Sequence, residues 1–139
     1  MVSIPELIIR PEHWQQMLAH VSKEAPNEAC GLIGGSNGSS LEVFETPNQF
    51  NSPTRFRIPP QKQLQILNIL EKRQWDLLGI YHSHPTGPST PSATDIAEAY
   101  DTKTVNLIWS QSASKWGCRG FIIANNRIKE VTISLSENL

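Results

Sequence analysis

Apolar positions along the chain change period several times, and each change marks an expected element. Pro11 suits the first position of a helix, where its missing N–H would have no partner, and Trp14, Met17, Leu18 and Val21 behind it fall on one helical face. Pro26-Asn27 ends that helix. Residues 28–33 lead to Gly34-Gly35, read as a hairpin turn, and 41–44 read as the returning strand. The stretch 46–60 holds four prolines and neither period, which makes it a long loop of the kind that often carries function. After Pro59-Pro60 a second helix is expected, with Leu64, Ile66, Leu67 and Leu70 covering a wide arc. Residues 77–82 form a short apolar run of buried-strand type, stopped by Pro85 and a turn-rich stretch. A third helix begins near Ser92, with Ala93, Ile96, Ala97 and Tyr100 on one face. Residues 105–109, 120–124 and 128–133 read as strands, and the polar stretch 110–115 as an exposed loop. Helices and strands interspersed in this way predict an α/β chain with a mixed sheet packed between helices.

Composition narrows the class without naming a chemistry. A length of 139 residues suits one domain over 1–139, and 12 basic against 13 acidic residues with no block of like charge disfavour a nucleic-acid surface. Leu7-Ile8-Ile9 is too short for the apolar core of a secretory leader, and no stretch approaches the ~18 apolar residues of a membrane span. Cys30 and Cys118 lie far apart and outside any CxxC, so they build neither a disulfide framework nor a zinc ribbon; free thiols in a cytoplasmic protein are expected.

The chemistry gathers at the end of the 77–82 strand. His82 and His84 are two apart, and the two-residue period of a strand sends both imidazoles to one side, the geometry in which two ligands meet one metal ion. Asp95 is the best candidate for a third ligand, because the Gly and Pro residues after His84 can fold the next helix back toward the strand end. Ser92 and Asp95 also form a capping box, a purely structural use of the same residues. The other two histidines, His13 and His20, are about 10.5 Å apart along the first helix, too far to share an ion, and read as partly exposed. Gly34-Gly35 lacks the spacing of a dinucleotide loop, and Cys30 has no histidine nearby in sequence to make it a nucleophile.

Taken whole, the string His82-x-His84-Pro85, then Ser92-x-x-Asp95 with seven residues between His84 and Ser92, preceded far upstream by Glu28-Ala29-Cys30-Gly31, resembles the JAMM metallopeptidases, the MPN+ domain family. Phe56-Arg57-Ile58-Pro59 and the closing strands are similar to its small prokaryotic members. The resemblance implies a cytidine-deaminase-like α/β fold, although the deaminase pattern HxE with PCxxC is absent. It also implies one zinc ion on His82, His84 and Asp95, Glu28 as general base and Ser92 as hydrogen-bond donor to the oxyanion. The implied activity is hydrolysis of a peptide or isopeptide bond after the Gly-Gly-type tail of a small ubiquitin-like or sulfur-carrier protein. Two alternatives are a non-catalytic MPN scaffold that binds protein partners and a zinc hydrolase of a small amide or nucleobase. No nucleic-acid or membrane partner is expected, and a homodimer is left open.

Overall fold

Seven strands and three helices alternate through the computed structural model, which describes residues 6–99 and 101–136. In chain order they are β1 (Glu6–Ile9), α1 (Pro11–Glu24), β2 (Cys30–Ser36), β3 (Ser39–Thr46), α2 (Pro60–Arg73), β4 (Asp76–His84), α3 (Ala93–Glu98), β5 (Val105–Ser112), β6 (Lys115–Ala124) and β7 (Arg127–Leu135). The mixed sheet runs β1-β3-β2-β4-β5-β6-β7 and closes on itself, because β1 lies parallel to both β3 and β7. Closure rests on the four-residue β1, whose Leu7 and Ile9 are fully buried. That strand was visible in sequence only as a short apolar run, since four residues carry too little periodicity to read.

β2 and β4 sit at the centre, antiparallel to each other, with β5 parallel to β4 on the far side. Their residues alternate between two cores. Ile33, Tyr81 and Trp109 join Met17 and Val21 of α1 on one side, while Cys30 and Leu32 join Ile58 and Ile66 and Leu70 of α2 on the other. Both faces of β2 and β4 are therefore covered, which is why 77–82 reads as a continuous apolar run rather than an alternating one.

Several sequence expectations are corrected. Gly34-Gly35 is not the turn; both lie inside β2, and Asn37-Gly38 turns the chain with φ of 55° and 77°, the left-handed pair that a two-residue hairpin demands. A Cβ on Gly35 would run into the backbone of Ser39, so close strand approach explains that glycine. The 110–115 loop is instead the end of β5 and the start of β6, joined through Ala113-Ser114. Leu64 faces solvent at 59 % exposure, because Ile66 and Leu70 already fill the face that α2 turns inward. α3 buries no residue, so its capping box rather than an apolar face starts it; Tyr100 lies outside the described residues.

His13 and His20 are buried, not partly exposed: Nδ1 of His13 meets Ser40 Oγ at 2.7 Å and Nδ1 of His20 meets Tyr81 Oη at 2.7 Å. Each polar ring enters the α1 core with a hydroxyl partner, which removes most of the cost of burying it. Among the described residues no helix is long and apolar enough to cross a membrane.

Candidate metal centre

The position of His82 follows from strand register. It stands opposite Cys30 of β2 and Ile108 of β5, in the middle of the sheet, and His84 follows on the same face near the end of β4. After the turn-rich loop, Ser92 caps α3. Its Oγ accepts from Asp95 N at 3.0 Å, and Asp95 Oδ2 accepts from Ser92 N at 2.8 Å. The capping box thus aims the carboxylate, and Oδ2 lies 3.1 Å from His82 Nε2 and 3.2 Å from His84 Nε2. The two Nε2 atoms are 3.0 Å apart. Structural capping and convergence on the histidines are served by one geometry.

These three atoms fit a metal donor set. His84 Nδ1 lies 2.8 Å from the carbonyl oxygen of Pro88, which can only accept, so Nδ1 carries the hydrogen and a neutral ring turns the lone pair of Nε2 toward its neighbours. Lone pairs of two imidazoles and a carboxylate at such distances repel unless a proton or a cation stands among them. Zinc bonds of about 2.0–2.1 Å in a tetrahedron would separate neighbouring ligand atoms by about 3.3 Å, close to the triangle seen here. Burial lowers the proton affinity of His82 despite its contact with Asp95. For His84 burial acts the same way, but the contacts with Asp95 and Pro88 outweigh it and the net shift is upward. Burial would raise Asp95, yet His82 and His84 hold its carboxyl well below the usual carboxylate range.

Glu28 reaches the same place from the other side of the sequence. It precedes β2, is only 4 % exposed, and its carboxylate lies within 4.8 Å of the ligand nitrogens of His82 and His84. Burial pushes that carboxyl up to about 7, with His84 opposing and Asp95 adding. Read alone, Glu28 was one of 13 acids; its burial depends on the pairing of β2 with β4.

Three residues supply supporting contacts that the sequence does not show. Ser83, between the two histidines, points to the opposite face: its Oγ accepts from Ala29 N at 2.7 Å and its N–H donates to Ala29 O at 3.1 Å, which clips the chain beside Glu28 onto β4. Asn48 donates through Nδ2 to Glu28 O at 3.1 Å. Phe56 stacks on His82, with ring centroids 4.3 Å apart and planes 16° from parallel. Phe56 stood inside the family-like string, but nothing local marks the partners of these residues, since they lie on distant segments. Arg119 of β6 braces the loop between the ligands by donating from Nη1 to Ser89 Oγ at 2.9 Å. Cys30 packs in the α2-side core, where burial pushes its thiol up to about 11 against the opposing hydrogen bond with Thr46; it stays a protonated packing residue. Beside the histidines a groove opens, lined in part by Phe56, Ile58, Leu67, Ile80 and Asp95.

Known proteins share this arrangement of elements. The solution structure of a protein from Desulfitobacterium hafniense matches 96% of this chain and 94% of its own length at a TM-score of 0.85 and 35% identity. A desampylase from Pyrococcus furiosus is 30% identical over 127 residues, 91% of this chain and 89% of that protein. A CysO-cysteine peptidase from Mycobacterium tuberculosis is 28% identical over 134 residues, 94% of this chain and 92% of its own. A family model described as prokaryotic homologs of the JAB domain matches residues 10–132, a span that takes in Glu28, the histidine pair, the capped Asp95 and all of the sheet except β1 and the last residues of β7, and this chain belongs to that family.

Proposed function

We propose that the protein is a zinc-dependent peptidase that hydrolyses the peptide or isopeptide bond following the Gly-Gly-type C-terminal tail of a small ubiquitin-like or sulfur-carrier protein. The observation that carries this reading is the meeting of His82 Nε2, His84 Nε2 and Asp95 Oδ2 at 3.0–3.2 Å beside the buried carboxyl of Glu28. The names desampylase and CysO-cysteine peptidase, borne by relatives aligned over nearly the whole chain, support cleavage of protein conjugates.

In this reading His82, His84 and Asp95 hold one zinc ion, which when bound supplies Lewis acidity toward the scissile carbonyl and acidifies water. Glu28, poised near neutrality, takes a proton from the attacking water and delivers it to the departing amine as the carbon–nitrogen bond breaks. Ser92 spends its oxygen lone pair on Asp95 N, so its O–H is available to donate to the carbonyl oxygen as negative charge develops there. The tail of the substrate lies in the groove beside Phe56 and Ile80, and selection of its glycines over bulkier residues is assigned to that groove. The compartment is the cytoplasm, where Cys30 and Cys118 stay as free thiols.

The test is cleavage of a fusion in which a ubiquitin-like protein ends in Gly-Gly before a reporter, with and without a chelator. Zinc-dependent release of the reporter is the expected result. A folded protein that binds no zinc overturns the reading, and equal cutting of Gly-Gly and Gly-Ala fusions overturns the role of the groove.

A further inference from the structure

The two imidazoles of the candidate centre are held in different ways. His84 is oriented through its edge, by the hydrogen bond between Nδ1 and Pro88 O at 2.8 Å. A second shell of this kind fixes both tautomer and direction of a ligating imidazole. His82 is held on its face, by the ring of Phe56 at 4.3 Å.

Phe56 belongs to the loop 47–59, an irregular segment with a built interior. Asn48 is buried there and uses every hydrogen-bonding site of its amide: Nδ2 donates to Glu28 O at 3.1 Å and Arg55 O at 2.9 Å, while Oδ1 accepts from Phe50 N at 3.1 Å and Arg57 N at 3.0 Å. Gln49 N donates to Arg57 O at 2.9 Å, and Glu28 N donates to Ser52 O at 2.8 Å. The loop is thereby locked to the backbone of Glu28 at both its N–H and its carbonyl. The carbonyl of Arg55 and the N–H of Arg57 flank Phe56 in sequence, so the amide of Asn48 grips the chain on either side of that aromatic residue.

We infer that Phe56 is a positioning residue for His82, with Asn48 as the clamp that sets it. An imidazole on a strand can turn about its Cβ–Cγ bond, and a flat ring packed against its face blocks that turn, keeping Nε2 directed at Asp95 Oδ2 and His84 Nε2. The same loop carries the backbone of Glu28, so one frame registers the base against the histidine. This inference rests on the metal-centre reading above.

The experiment compares native protein with Phe56→Leu, which keeps apolar volume and loses the flat face, and Phe56→Tyr, which restores it. Zinc affinity is measured by competition with a chelator, and the surroundings of the bound ion by the visible absorption of the cobalt(II) form. Phe56→Leu is expected to bind zinc about 10-fold more weakly and to shift the cobalt bands, within the range for changes in the groups that orient metal ligands. Phe56→Tyr is expected to restore both to native values. Where leucine prevents folding, Phe56→Met is read by the same two criteria. Native affinity and a native cobalt spectrum in a folded leucine or methionine variant overturn the positioning role alone. Native protein that binds no zinc overturns the metal-centre reading and this inference together.

Discussion

The four histidines fall into two pairs, and the contrast between them separates burial from chemistry. His13 and His20, on α1, are buried against single hydroxyl partners, Ser40 and Tyr81, each at 2.7 Å. Hydroxyls can donate or accept, so each Nδ1 is satisfied whichever tautomer the ring adopts. His82 and His84, on β4, are as deeply buried but face each other and a carboxylate, three metal-ligating groups whose donor atoms meet at 3.0–3.2 Å. A buried histidine is therefore ordinary structure; convergence of several metal-ligating groups on one point is what marks a site.

The strongest way to break this comparison is to remove one member of each pair. His82→Ala and Asp95→Asn should lose zinc and all measurable cleavage, while His20→Gln should keep zinc stoichiometry and kcat and lower only the melting temperature. Elemental analysis of the purified variants and the fusion assay decide it, and loss of zinc in the α1 variant would erase the distinction.

Glu28→Gln comes next. It should retain zinc and lower kcat by about 10²–10⁴-fold, the usual worth of a positioned acid–base group, with KM little changed. Loss of zinc in this variant would instead make Glu28 a ligand.

Ser92→Ala tests a residue with both kinds of role. Loss of the donor should raise the barrier by about 2.7–4 kcal/mol, read as kcat, and loss of the cap should cost a further ~1 kcal/mol of stability, read by denaturant unfolding. Ser92→Asp keeps a capping oxygen without a hydroxyl, so it should recover stability and leave kcat low.

The smallest expected effect is a pH dependence of stability from the α1 pair. Burial lowers the pKa of both His13 and His20 from 6.5, so the unfolded chain takes up protons in a range where the folded one does not. Their contribution is present above pH 6.5 and is lost as the pH falls below it toward the depressed folded-state values. Thermal melts from pH 8 to pH 5 should show the midpoint falling on the acid side, and the double variant His13→Gln with His20→Gln should flatten that part of the profile.

How much of this was legible depends on how local each cause is. The two-residue spacing of His82 and His84 within an apolar run, and the Ser92–Asp95 capping pattern, are short-range features, and both appear in the structure where the sequence put them. The turn at Asn37-Gly38 is equally local, yet Gly34-Gly35 carries the same turn chemistry in sequence, and the real cause of those two glycines, the close approach of the Ser39 backbone and of Leu70, is not visible along the chain. His13 and His20 were misread for a similar reason: their partners are 27 and 61 residues away.

By itself the sequence determined the helices opened by Pro11 and Pro60, the strand that carries both histidines, the cap that aims Asp95, and the family these residues resemble. Each depends on interactions within a few residues, where backbone geometry leaves few choices. Only the tertiary structure decided that the sheet closes through β1, that Glu28 is buried beside His82 and His84, and that Asn48 locks Phe56 onto His82. Those outcomes depend on strand register and on hydrogen bonds between segments far apart in the chain, and a register is chosen by how well two whole strands bury their faces together, a quantity that no local stretch of residues contains.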